Sequence, residues 1–167
     1  MKFSAFVILI ATLFITLSMS NAVFASGNYH VEVIVFDNIN SETKASSFSN
    51  QPPATLPSNG EIWNASTAYL NNYASRLRNS SFYNVLQHTA WGQTSAGYNS
   101  SAAKQLSSNG MAGSIKVYAT SLLFAQLDIN FRGHRIKESR RLKLNEVHYF
   151  DNTSFGILLR VSRAKPG

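Results

Sequence analysis

Residues 115–131, IKVYATSLLFAQLDINF, decide the fold. Ile115, Val117, Ala119, Ser121, Leu123, Ala125, Leu127, Ile129 and Phe131 recur at every second position. A helix turns about once per 3.6 residues and cannot keep that period over such a run. The segment therefore reads as one long strand with one buried face. Arg132-Gly133-His134 reads as a tight connection, and Arg135 to Phe150 as the strand running back. Asp151 to Ser154 reads as a turn, and Phe155 to Arg163 as the last strand, with Ile157, Leu159 and Val161 inward.

Toward the N-terminus, Tyr29, Val31, Val33 and Val35 alternate with Ile34 and Phe36, which predicts a strand covered on both faces. Tyr69, Leu70, Tyr73, Ala74 and Leu77 follow helical spacing, with N-cap candidates at Asn64 to Thr67 and Arg76 and Arg78 near the C-terminal end. Tyr83, Val85, Gln87, Thr89 and Trp91 alternate with Leu86, His88 and Ala90 as a further strand. The Ser/Asn-rich segments 40–60 and 92–113 read as long loops. These elements predict an α+β fold: a mainly antiparallel sheet, one principal helix packed on one face, and a long C-terminal hairpin.

Residues 3–17 are apolar apart from Ser4, Thr12 and Thr16, and the chain then turns polar before Val23-Phe24-Ala25. This pattern predicts a signal peptide, residues 1–25, cleaved after Ala25. The mature chain, 26–167, is expected to be a single exported domain with no further membrane span, located in a periplasm. Its 167-residue precursor has no cysteine. Disulfide frameworks, cysteine metal sites and cysteine nucleophiles are thereby excluded. A hydrophobic content of 44% with 14% charged residues excludes a disordered chain.

The net charge of +7 is concentrated near the C-terminus. Basic and acidic residues balance from Ser26 to Phe131, whereas nine basic residues stand against Glu138, Glu146 and Asp151 beyond it. Arg135, Lys137, Arg141 and Lys143 share a parity, so one strand face is expected to carry a basic stripe. That stripe suits an anionic ligand or acidic partner, and it equally suits a solvated outer face. Arg140 has the other parity and is expected to pair with Glu138 or Glu146 and orient the strand. For an exported chain the anionic partner is an envelope component rather than nucleic acid.

Glu146, His148 and Asp151 are close in sequence, with Glu146 and His148 on one face, but no metal-ligand spacing, nucleophile elbow or phosphate loop accompanies them. The reading is a non-enzyme without metal or cofactor. The rival is an enzyme acting on glycan or peptide bonds through Glu146 and His148. Trp63, Tyr83, Trp91, Tyr118 and Tyr149 are candidates either for the core or for stacking on the apolar C–H faces of sugars.

Three segments carry a resemblance: YHVEVIVFDN (29–38), RLRNSSFYNVLQHTAWGQ (76–93) and RIKESRRLKLNEVHYFDNTSFGILLRV (135–161). Together they resemble the CsiV family of small periplasmic peptidoglycan-binding proteins of Gram-negative bacteria, linked to cell-shape integrity. The matching positions are Arg140, Glu146, His148, Tyr149, Asp151, Phe155 and Gly156. Where the family has Asp-His-Pro before Phe-Gly, this chain has Asp151-Asn152-Thr153-Ser154. The resemblance implies a non-catalytic peptidoglycan-binding protein that modulates wall synthesis. It also implies a partner, an outer-membrane lipoprotein that activates a class A penicillin-binding protein. The alternative is an interaction module that docks an acidic protein through the basic face.

Overall fold

The computed structural model describes residues 27–39 and 52–164. The expected signal peptide and residues 40–51 of the first loop lie outside the described residues. Among these described residues, nine strands form two antiparallel sheets. The first holds β1 (Gly27–Asn38), β2 (Ile62–Asn64), β3 (Tyr83–Ser95), β8 (Val147–Asp151) and β9 (Phe155–Arg163), in the order β2-β3-β1-β9-β8. The second is the meander β4 (Ala103–Ser108), β5 (Met111–Ala119), β6 (Leu123–Phe131) and β7 (His134–Leu142). The sheets face each other across one apolar core, in which Val31, Val33, Leu159 and Val161 meet Ile115, Val117, Leu127 and Ile129. The outer face of the first sheet carries the single described α-helix, α1 (Asn71–Arg78). Ile34 and Phe36 of β1 pack there with Leu70 and Ala74, so β1 is covered on both faces as its alternation predicts. The α+β class, mainly antiparallel with one helix on one face, is thus the observed one.

The expected single strand 115–131 is two strands, β5 and β6, joined at Thr120–Leu122. Ala119 pairs with Leu123, so partners across this hairpin have the same parity. Paired residues share a face, and the alternation passes through the turn unbroken. The pattern therefore hid a hairpin inside one apparent strand. The next turn behaves oppositely. Phe131 pairs with His134 across Arg132 and Gly133, which have φ of 50° and 88°. Two positive-φ residues are the signature of a tight hairpin turn. Parity flips there, so Ile136 and Leu142 point inward and Arg135, Lys137 and Arg141 point outward.

The expected strand from Arg135 to Phe150 is also divided. The chain leaves the second sheet after Leu142, turns through Asn145 (φ 64°) and enters the first sheet as β8. The segment 92–113 is not a loop. It contains the end of β3, a short 3-10 turn at Tyr98–Ser100, all of β4 and the start of β5. Its polar residues misled because several are buried with partners. The Gln93 Nε2 amide donates to Val117 O and Ser95 Oγ, both at 2.8 Å, and Trp91 Nε1 donates to Gln93 Oε1 at 2.7 Å.

Candidate functional site

The helix begins at Asn71, not near the cap candidates Asn64 to Thr67. Its approach is held by Glu32, a fully buried carboxylate in β1. Glu32 accepts the backbone N–H groups of Ala68, Tyr69 and Leu70 at 3.3, 2.7 and 3.1 Å. His88 Nε2 lies 2.8 Å from Oε1, the oxygen that also accepts the Leu70 N–H. Burial raises the Glu32 pKa, but the bonds from His88 and the three N–H groups outweigh it and hold the carboxyl below its ordinary range. A negative charge at the entry of a helix is also favoured by its dipole.

This anchoring sets one wall of an open groove of about 330 Å³. Tyr73, Arg76 and Leu77 of α1 form that wall; Phe36, Tyr83, Tyr149 and Leu158 form the floor and the far side. Phe36 is almost wholly buried, whereas Tyr73, Tyr83 and Tyr149 are 43, 38 and 48% exposed, so each offers much of a ring to a ligand. Tyr83 meets Phe36 edge-on at 5.3 Å, and Tyr149 lies parallel to it at 6.4 Å. Burial raises the Tyr149 pKa, and the charge of Asp151 and a hydrogen bond to it act in the same direction. The Tyr149 hydroxyl is therefore held in its protonated form.

Two backbone features make the groove. A β-bulge in β3 lets Val35 pair with Gln87 and Phe36 with Val85, skipping Leu86. It moves Val85 and Tyr83 to the outer face, while Leu86 packs against the inter-sheet core. The alternation in sequence had placed Tyr83 and Val85 with Trp91, and the bulge overturns that. At the second feature, Gly156, a Cβ would lie 2.6 Å from Phe36 Cζ and 3.0 Å from Tyr149 Cε2. Only a residue without a side chain lets both rings cross β9 here. Of the resembling positions, Tyr149 lines this groove and Gly156 makes room for its rings. Phe155 points the other way, into the core against Phe131 at 5.9 Å.

The four residues of the expected basic stripe do not form one free surface. Arg135 donates from Nε and Nη2 to the fully buried Asp128, both at 2.6 Å. Asp128 also accepts the Ala54 N–H at 3.2 Å. Burial raises its pKa, yet Arg135, that N–H and the charge of Lys137 hold it below the ordinary range, and the same bond holds Arg135 above its own. Segment 52–60 lies as an irregular strap on this outer face of the second sheet. Lys116, fully buried, donates to Pro57 O and, at 2.9 Å, to Ser101 O. Burial lowers its pKa. Lys143 lies past the end of β7 and pairs with Glu146 at 3.5 Å. Lys137 and Arg141 remain exposed on the strand.

Arg140 pairs with Glu138, its Nε donating at 2.8 Å, and also donates to Tyr149 O at 3.0 Å over the Phe150 ring. The pairing with Glu138 is one its parity suggested; the bond to Tyr149 O also ties β7 to β8. Glu146 and His148 do not join: Glu146 pairs with Lys143, and His148 Nε2 lies 3.1 Å from the Lys143 backbone. Trp91 is core, Tyr118 stacks on Phe124 at 5.4 Å, and Trp63 lies over Gly92. Among the described residues, no cluster of His, Asp or Glu is placed to hold a metal, and no helix is long and apolar enough to cross a membrane. No protein-family model, curated protein or solved structure matches this chain.

Proposed function

We propose that this is an exported, non-catalytic peptidoglycan-binding protein of the periplasm that modulates wall synthesis and cell shape. The observation that carries the reading is the groove of half-exposed tyrosines beside Arg76. Aromatic faces stack on the apolar C–H faces of sugar rings, and hydroxyls at their edges satisfy the sugar's polar groups. The described residues lining the groove include no carboxylic acid, imidazole or activated nucleophile, which suits binding without bond cleavage. The resemblance carried by Tyr149 and Gly156 falls on this same surface.

Sedimentation with purified sacculi tests the reading. The wild-type protein should co-sediment, and Tyr83→Ala with Tyr149→Ala should stay in the supernatant while melting cooperatively. Soluble muropeptides should not appear. Failure of the wild type to co-sediment with sacculi, whether intact or stripped of stem peptides, or release of muropeptides, would overturn it. A second reading is supported by the exposed Lys137 and Arg141, which suit an acidic protein partner such as the implied lipoprotein. That reading places partner docking on the opposite face of the sandwich and predicts loss of a salt-sensitive complex when both are changed to Gln.

A further inference from the structure

Resting on the reading of the groove as a saccharide site, we infer that its ligand is an N-acetylmuramic acid unit whose lactyl carboxylate is free. The groove thus selects glycan stripped of its stem peptide. Charge is the first argument. Among the described residues that line the groove, Arg76 is the one that is ionised. It is exposed, and no described acidic side chain pairs with it. A ligand that fills the groove must bring its own anion to satisfy the guanidinium.

Reach is the second argument. Tyr73 and Arg76 stand three residues apart on α1 and are neighbours on the helix surface, with Cβ atoms about 5–6 Å apart. The anion must therefore be attached close to the ring that stacks on the tyrosines. The lactyl ether of muramic acid is carried on the sugar ring itself. The first free carboxylate of a stem peptide belongs to its second residue, about 7 Å of chain further out. A volume of about 330 Å³ suits one substituted sugar rather than a sugar with a peptide attached.

Chemistry supplies the selectivity. Where the stem peptide is present, the lactyl group ends in an amide, which is neutral. Hydrolysis of that amide adds water across the C–N bond, leaving a carboxylate on the sugar and an amine on the peptide. The groove therefore accepts the product of a peptide-releasing amide hydrolysis. Tyr149 suits this role, because its half-exposed hydroxyl stays protonated and can both donate to and accept from the sugar's polar groups.

Titration followed by amide NMR shifts, with N-acetylmuramic acid, its lactyl methylamide and N-acetylglucosamine as probes, tests this directly. The acid should bind at least tenfold more tightly than either other sugar. Arg76→Gln should reduce that preference to near unity, and Arg76→Lys should keep part of it. Sacculi treated to remove stem peptides should retain more protein than intact sacculi. Equal affinity for acid and methylamide, or a preference that survives Arg76→Gln, would overturn the inference. If intact sacculi still bind through Tyr83 and Tyr149 in that case, the saccharide reading stands without it. If neither intact nor stripped sacculi bind, both fall.

Discussion

The two outer faces of the sandwich solve one problem with opposite consequences. Each cover is tied to its sheet by a buried carboxylate that accepts backbone N–H groups: Glu32 beneath the start of α1, Asp128 beneath the strap. Glu32 is satisfied by three N–H groups and His88, and leaves every arginine on its face free of it. Asp128 takes only one N–H from the strap and draws the rest of its hydrogen bonds from Arg135. A basic side chain is consumed there as structure. The helical face ends with an open aromatic groove and a cation beside it; the other face ends with two exposed cations and a buried ion pair. Counting charges along a strand cannot distinguish these uses of arginine.

The largest effect expected from breaking this comparison is at Asp128. Asp128→Ala leaves a mostly covered Arg135 without its partner and should cost about 3–5 kcal/mol. Asp128→Ala combined with Arg135→Met should recover much of that loss in urea denaturation, because the stranded charge goes with its partner. A double variant as weak as the single one would show that the strap bond, not the ion pair, dominates.

A smaller loss, about 1.5–3 kcal/mol, is expected for Glu32→Gln, which keeps the shape but removes a charge from several hydrogen bonds. It should also weaken ligand binding in the groove, since α1 carries one wall. Both carboxylates have folded-state pKa values below their unfolded ones. Their stabilisation is full above the unfolded carboxylate range and drains away as pH falls through the folded values. The acid limb of wild-type stability should therefore flatten in Glu32→Gln and in the Asp128–Arg135 double variant. An unchanged acid limb in both would show that neither carboxylate sets it. The smallest effect is at Lys137 and Arg141. Changing both to Gln should shift stability by no more than about 0.5 kcal/mol and leave sacculus co-sedimentation intact at every salt concentration. A loss of co-sedimentation at low salt would move saccharide binding to that face.

Much of the fold was legible because apolar alternation reports burial directly. Ile157, Leu159 and Val161, the doubly covered β1 and the parity of Arg140 all follow from it. It failed where two residues produce one pattern by different routes. A hairpin whose partners share parity is indistinguishable from a continuous strand, which concealed the turn at Thr120–Leu122. Buried Gln93 and Ser95 read as loop because their hydrogen bonds reach the Val117 carbonyl, far along the chain. The groove was illegible for a further reason. It draws on α1, β1, β3, β8 and β9, and it needs a bulge that no local signal at Leu86 announces. Tyr83 and Tyr149 were visible as candidate contacts, but nothing in the sequence placed them on either side of Phe36.

The position of β1 also constrains the order of events during synthesis. Its neighbours in the first sheet are β3 on one side and β9 on the other, so the earliest described strand closes against the last. The strap behaves alike, since Ala54 and Pro57 wait for Asp128 and Lys116, which lie 74 and 59 residues further along. The meander β4 to β7 needs only near neighbours and can form early. A chain emerging N-terminus first, whether from a ribosome or through a membrane pore, must therefore keep β1 unpaired along one edge until Phe155–Arg163 arrives. Completion of the first sheet is consequently a late event, set by the arrival of β9 rather than by any near neighbour of β1.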